Sequence, residues 1–149
     1  MRDRVKRVGL FVDGQNLYQS VRQAFGEVRI DYGALIRFAA QQGTVRIANL
    51  YTARDYNNPN QDKFLSSLTL KGFRVMTRPL KTMSDGSKKG NIDVLMAYDI
   101  AEQARALDVV ILVTGDSDFA EVADILTKRG KTVIVIGPNG CTGVELLLS

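Results

Sequence analysis

Acidic residues fall where apolar runs stop. The stretch "VGLFVDGQN" delivers Asp13 directly after a run ending at Val12, and "VVILVTGDSDF" delivers Asp116 and Asp118 after a run ending at Val113. A third acid, Asp93, follows the cationic "KKGN" at the head of a segment with helical apolar spacing. The chain has no histidine and a single cysteine, Cys141. That excludes Ser-His-Asp triads, Cys-His pairs, histidine metal ligands, an internal disulfide framework and any cysteine-rich zinc site. Polar chemistry must come from carboxylates, lysine, hydroxyls or a bound ion. Three or four carboxylates in one place repel each other unless protons or a cation intervene. An oxygen-only ligand set suits Mg²⁺ or Mn²⁺ rather than zinc, and such an ion polarises a phosphodiester and lowers the pKa of an attacking water. Phosphoryl-ester hydrolysis is the chemistry these residue types suggest.

For the acids to meet, the elements must bring strand ends together. Apolar runs predict strands over Val8–Val12, Val45–Tyr51, Phe73–Thr77, Val109–Val113 and Thr132–Ile136, with helix-period segments over Leu17–Phe25, Tyr32–Ala40, Gln61–Leu70, Ile92–Ala104 and Phe119–Lys128. Gly26, Gly43, Gly72 and Gly130 stand where helices should end, and Asp31 where the second helix wants an N-cap. Continuous runs such as "VILV" and "VIVI" fit a parallel sheet covered on both faces, hence a doubly wound α/β sandwich in one domain of 149 residues. In such sheets ligands gather at the carboxyl ends of strands, where strand order reverses. If the fourth strand returns to lie beside the first, Asp13, Asp116 and Asp118 share one crevice. On a helical wheel Asp93 falls on the inward arc with Ile92, Leu95, Met96 and Ile100, as does Asp99. The loop from Arg78 to Asn91 is polar, glycine-bearing and cationic, and is expected to run over the surface.

Each acid also has a plainer explanation. Asp116 or Ser117 can cap the fifth helix, and Asp118 with Glu121 resembles a capping box. Asp13 suits a turn, "DGQN", with Asn16 opening the next helix. Asp93 can complement a helix dipole and Asp99 can be a satisfied polar residue at a packing edge. The functional reading rests on convergence, since all but Asp99 map to one end of the sheet.

The bulk numbers are compatible with a polyanion partner without requiring one. Lysine and arginine number 20 against 16 acids, a net charge of +4 and a pI near 9.3. No apolar run reaches the roughly 20 residues of a membrane span, and the charged start "MRDRVKRVGLFVDG" does not read as a signal peptide, so a cytoplasmic location is expected.

The motifs "LFVDGQNLYQSV", "KKGNIDVLMAYDI" and "VVILVTGDSDFAEVADILTKRGKTVIVIG" resemble, in order and spacing, the LabA-like branch of the NYN domain family, which is similar to the PIN-domain nucleases. The resemblance covers about residues 5–137. It implies a PIN-like three-layer α/β/α fold with a parallel five-stranded sheet of order 3-2-1-4-5, and a Mg²⁺- or Mn²⁺-dependent ribonuclease acting on RNA, most readily single-stranded. By position, the family's strand-one acid is Asp13 with Asn16 as its polar partner. The lysine-glycine-acid motif falls on Lys89, Gly90 and Asp93, with one residue more than usual between glycine and acid. The closing acids are Asp116 and Asp118 around Ser117, and Asp99 stands where the family tends to carry an acid. The family usually continues into a further helix, where this sequence has "GPNGCTGVELLLS".

The expected site is therefore Asp13, Asp93, Asp116 and Asp118 as metal ligands, direct or through water, with Asp116 the first ligand, Asp118 acting through water, and Asn16 orienting a carboxylate or phosphate. Lys88 and Lys89, and more weakly Arg54, Arg78 and Lys81, would hold the strand, and Tyr56 could stack a base. A non-catalytic RNA- or protein-binding regulatory module is the competing class. A small-molecule phosphatase fits less well, because no second aspartate follows Asp13 at Gln15. A homodimer stays open beside a monomer, since small nucleases of this fold often pair.

Overall fold

The computed structural model describes residues 4–26, 29–82, 88–89 and 92–137. Five parallel strands form the main sheet: β1 (Arg7–Asp13), β2 (Thr44–Arg54), β3 (Arg74–Pro79), β6 (Val109–Val113) and β7 (Thr132–Ile136). A separate two-stranded antiparallel ribbon joins β4 (Lys81–Thr82) to β5 (Lys88–Lys89). Helices α1 (Gly14–Phe25), α2 (Tyr32–Gln42), α3 (Pro59–Leu70), α4 (Ile92–Gln103) and α5 (Asp118–Lys128) complete the chain, with a 3₁₀ turn at Ala104–Ala106 after α4.

The sheet order is β3-β2-β1-β6-β7, the expected 3-2-1-4-5 when only main-sheet strands are counted. The chain winds outward from β1 through β2 to β3, then returns to place β6 on the other side of β1, in register from Val8 opposite Val109 to Val12 opposite Val113. Helices α1 to α3 cover one face of the sheet and α4 and α5 the other. On one face Leu10, Leu50 and Ile111 pack against Leu17, Leu35 and Leu68 of α1 to α3. On the other, Phe11, Tyr51 and Leu112 pack against Met96, Ile100 and Phe119 of α4 and α5. Alternation along β1 explains the split, since Val8, Leu10 and Val12 face one way and Phe11 the other. Each such side chain, fully buried, contributes about 1.5–3 kcal/mol.

The glycine ends are as expected. Gly26, Gly43, Gly72 and Gly130 all have positive φ, and they are the only described residues that do. After α5, Gly130 N–H donates to Thr127 and Lys131 N–H to Leu126, closing carbonyls the helix leaves open. Asp31 caps α2 by accepting from Ala34 N–H.

Boundaries moved in places. Helix α1 starts at Gly14, three residues before the apolar pattern begins, because Asp13 itself supplies the cap. The expected surface loop from Arg78 to Asn91 contains the end of β3 and the β4–β5 ribbon, which sets Lys81 opposite Lys89 and Thr82 opposite Lys88. Gly90, Asn91, Cys141 and the stretch "PNGCTGVELLLS" lie outside the described residues. Among the described residues no helix is long and apolar enough to cross a membrane.

The pole of the sheet away from the acids is clamped electrostatically. Asp108, just before β6, accepts from the Arg7 backbone N–H at 2.8 Å and from the Arg7 Nε at 3.1 Å, and pairs with Arg4 at 2.7 Å. These charge-assisted bonds hold the starts of β1 and β6 side by side.

Candidate active site

Because β1 and β6 are neighbours that feed helices on opposite faces, their carboxyl ends form the point where strand order reverses. Asp13 closes β1 there and is only 2% exposed. Its Oδ1 accepts the Asn16 N–H at 3.2 Å, capping α1, and its Oδ2 accepts the Thr114 hydroxyl at 3.1 Å. The same Thr114 oxygen accepts the Asp116 N–H at 3.1 Å, so one buried hydroxyl ties the two acidic loops together. Asn16 adds a second tie, its Oδ1 accepting the Gly115 N–H at 2.7 Å and, more weakly, the Ser20 hydroxyl at 3.4 Å.

Gly14 lets the head of α1 sit close against β2. A Cβ there would stand 2.8 Å from Leu50 Cδ2 and 3.0 Å from the Tyr51 carbonyl oxygen, so any larger residue would push the head of α1 away from β2.

Burial pushes the Asp13 carboxyl up to about 6, resisted by the Asn16 N–H and the Thr114 hydroxyl and reinforced by the charges of Asp93 and Asp116. The charges of both acids thus reach Asp13 and disfavour its ionised form. The three are not packed as tightly as a closed metal cage. Among the described residues, no three acidic, histidine or cysteine side chains stand close enough together to hold an ion. The donor chemistry nevertheless fits a hard cation: oxygen ligands only, one of them buried and carrying uncompensated negative charge that a divalent ion would relieve.

The structure redistributes the roles of the remaining acids. Asp116 is half-buried and its Oδ1 accepts the Asp118 N–H at 2.9 Å, while Ser117, at the N-cap position of α5, makes no side-chain cap bond. Of the two residues expected to cap the helix, Asp116 makes the bond and Ser117 does not, and the capping-box reading fails because Asp118 is already the first helical residue. Asp118 is exposed. Asp93 is exposed too, in the first turn of α4, so the inward orientation expected from the wheel does not hold; the buried stripe of α4 is Ile92, Met96 and Ile100. Asp99 is half-buried and accepts the Tyr51 hydroxyl at 2.9 Å, which itself accepts from Asn49 Nδ2 at 3.0 Å. Asp99 thus serves a buried polar chain between β2 and α4, and the Tyr51 hydroxyl is pushed far above the usual phenol range by burial.

Among the expected cations, Arg54 is engaged: it pairs with Asp62 at 2.8 Å and its guanidinium lies 4.8 Å from the centre of the Tyr56 ring, which is otherwise exposed. Arg78 is exposed at the end of β3. The backbones of Lys81, Lys88 and Lys89 are gathered in the β4–β5 ribbon. Thr114, which ties the two acidic loops together, is the residue of the candidate site that sequence reading passed over. Its only local signal was a hydroxyl directly after the apolar run "VVILV".

Comparison with known proteins identifies the family and supports the fold. The NYN domain model matches residues 7–147. The low amplitude and bright protein LabA of Synechococcus elongatus is 24% identical over 96% of this chain and 80% of its own length. An uncharacterised protein of Methanocaldococcus jannaschii is 28% identical over 88% of this chain, which spans 47% of that longer protein. A crystal structure of a Vibrio parahaemolyticus protein of unknown function superposes with a TM-score of 0.81 at 36% identity, covering 92% of this chain and 84% of the other.

Proposed function

The chain belongs to the LabA-like branch of the NYN domain family, within the PIN-like nuclease superfamily, and from that membership we propose that it is a Mg²⁺- or Mn²⁺-dependent ribonuclease hydrolysing single-stranded RNA at the carboxyl ends of β1 and β6. The observation that carries this reading is Asp13: a buried carboxylate at the strand-order reversal, cross-tied through Thr114 to the loop of Asp116 and subject to the charges of Asp93 and Asp116. A carboxylate that only capped a helix would gain nothing from burial beside two like charges.

Asp13, Asp93 and Asp116 would hold the ion, with Asp118 acting through water. When bound there, a divalent ion neutralises charge on the scissile phosphate and makes water a better nucleophile. The protein's own groups supply the positioning. Thr114 and the Asn16 backbone N–H hold the two oxygens of Asp13, and the Asn16 side chain, with its Oδ1 occupied by Gly115, presents its Nδ2 as a donor toward a phosphate oxygen or carboxylate. Lys81, Lys88 and Lys89 on the ribbon, and Arg78 beside it, attract the RNA backbone electrostatically.

Asp116→Asn is the informative variant, because an asparagine Oδ1 still accepts the Asp118 N–H and only the charge is lost. With an RNA oligomer and Mn²⁺, cleavage should fall roughly 10²–10⁴-fold. Equal cleavage by both proteins, or cleavage that survives EDTA, would sink the proposal. Replacing Lys88 and Lys89 together by alanine should weaken RNA binding and flatten its salt dependence; an unchanged slope rejects their role.

One observation favours a non-catalytic RNA- or protein-binding module instead, namely that the described acids are not gathered into a ready metal cage. Mn²⁺-soaked crystals decide between the two: anomalous density at Asp13 and Asp116 supports the nuclease, and an empty crevice at high Mn²⁺ supports the binding module.

A further inference from the structure

A groove on the α1–α3 face begins where the acidic crevice ends. We propose that it is a track for single-stranded RNA, in which bases stack on Tyr18 and Phe64 while Arg29 and Lys71 hold the backbone; the assignment of RNA as occupant rests on the function proposed above.

A cavity of about 530 Å³ starts at Gly14, the residue after Asp13, and runs to Tyr18, Tyr32 and Phe64. A second, of about 520 Å³, shares those three aromatics and continues to Arg29 and Lys71. Sharing a wall makes them one groove. Its floor follows α1, where Gly14, Tyr18 and Arg22 recur every fourth residue and so line one face over roughly 12 Å, room for a few nucleotides.

The aromatic surfaces are open. Tyr18 is 51% and Phe64 42% exposed, while Tyr32 is buried and meets Phe64 edge to face, ring centres 5.6 Å apart, which fixes the Phe64 ring. Stacking on such rings tolerates any base, because every base has a π-face. Gln15 and Gln19, at the end nearest the acids, can donate to or accept from base edges.

Charge favours a polyanion at the far end. Among the described residues Arg29 and Lys71 have no carboxylate partner. The two acids in the walls are occupied, since Asp31 caps α2 and pairs with Arg37 at 2.9 Å, and Asp55 accepts the Asn57 N–H at 3.0 Å. A second copy of the chain is a poorer occupant, because two-fold contact through this face would bring Arg29 and Lys71 toward their own copies.

The test is a binding titration by fluorescence anisotropy with labelled uridine oligomers of roughly 4–16 nucleotides, the range one small fold engages. It is run in EDTA, so it reads binding without cleavage, and a protein that cuts nothing still answers it. Affinity should rise with length until the groove is filled. Tyr18→Ala should weaken the longest oligomers roughly 5- to 150-fold, and Tyr18→Phe, which keeps the ring, should restore them. Arg29→Ala and Lys71→Ala should each lower the slope of log K against log salt by roughly 0.7. Should Tyr18→Ala misfold, the two exposed cations decide the matter alone. Wild-type binding by these variants at every length overturns the proposal. So does a dimer in sedimentation that Tyr18→Ala dissociates, which would make the groove an interface between copies. Loss of Mn²⁺-dependent cleavage with groove binding intact sinks only the nuclease reading.

Discussion

Asp13→Asn should change the stability at neutral pH by between zero and about +2 kcal/mol and destabilise the protein in acid. Burial beside Asp93 and Asp116 raises the Asp13 carboxyl from 3.8 to about 6. Between those values the folded protein holds a proton that the unfolded chain has released. The folded state binds more protons, so stability falls as pH rises through that window. At about 1.4 kcal/mol per pH unit, the ionised carboxylate costs about 3 kcal/mol above pH 6. Asparagine removes that cost and its Oδ1 can still accept the Asn16 N–H, but its amide must face Thr114, whose hydroxyl loses its acceptor. That mismatch costs about 1–3 kcal/mol at any pH. The difference between the variant's effects at pH 7.5 and pH 4 is free of the mismatch and should be about 2.4 kcal/mol, measured by urea unfolding in EDTA. Parallel stability curves for wild type and variant would refute the assignment of an ionised, strained carboxylate at this position. Adding Mn²⁺ should then stabilise the wild type more than the variant, because an ion that binds only the folded state adds RT ln(1 + [L]/Kd).

Thr114→Val should destabilise by about 1–3 kcal/mol, since it strips a partner from both Asp13 Oδ2 and the Asp116 N–H, whereas Thr114→Ser should recover most of the loss in the same urea titration. Tyr51→Phe should cost about 1–3 kcal/mol by leaving the buried Asn49 amide and Asp99 without their shared hydroxyl, and hydrogen exchange along β2 should quicken. Asp108→Asn should lower the thermal midpoint at pH 7 while RNA cleavage is kept, because the clamp lies at the opposite pole of the sheet. The Asp108 carboxyl is held well below its usual range by Arg7, through the guanidinium and the backbone N–H, and then by Arg4. Its contribution is therefore complete above the ordinary carboxylate range and lost only as pH falls below it, so wild type and variant should converge in strong acid.

Much of this protein is written in local pattern. Short β-branched runs such as "VVILV" fit strands with two buried faces, and the glycines after four helices sit where a positive φ is required. These signals are one-dimensional and marked the sheet's strands and the placing of Asp13 and Asp116 at strand ends, whereas the expected strand order came from the family resemblance of the motifs. They did not fix who caps, who is buried and who pairs. A wheel gives only an angle about the helix axis, and the buried stripe of α4 runs through Ile92, Met96 and Ile100, one position round from Asp93, which is left exposed. The ties of Asn16 to Gly115, Thr114 to Asp13 and Tyr51 to Asp99 join residues 99, 101 and 48 positions apart. No local spacing encodes such bonds. Only the return of β6 to the side of β1 brings those atoms together, and it is that contact which turns an acid at a strand end into a buried carboxylate with a pKa near 6.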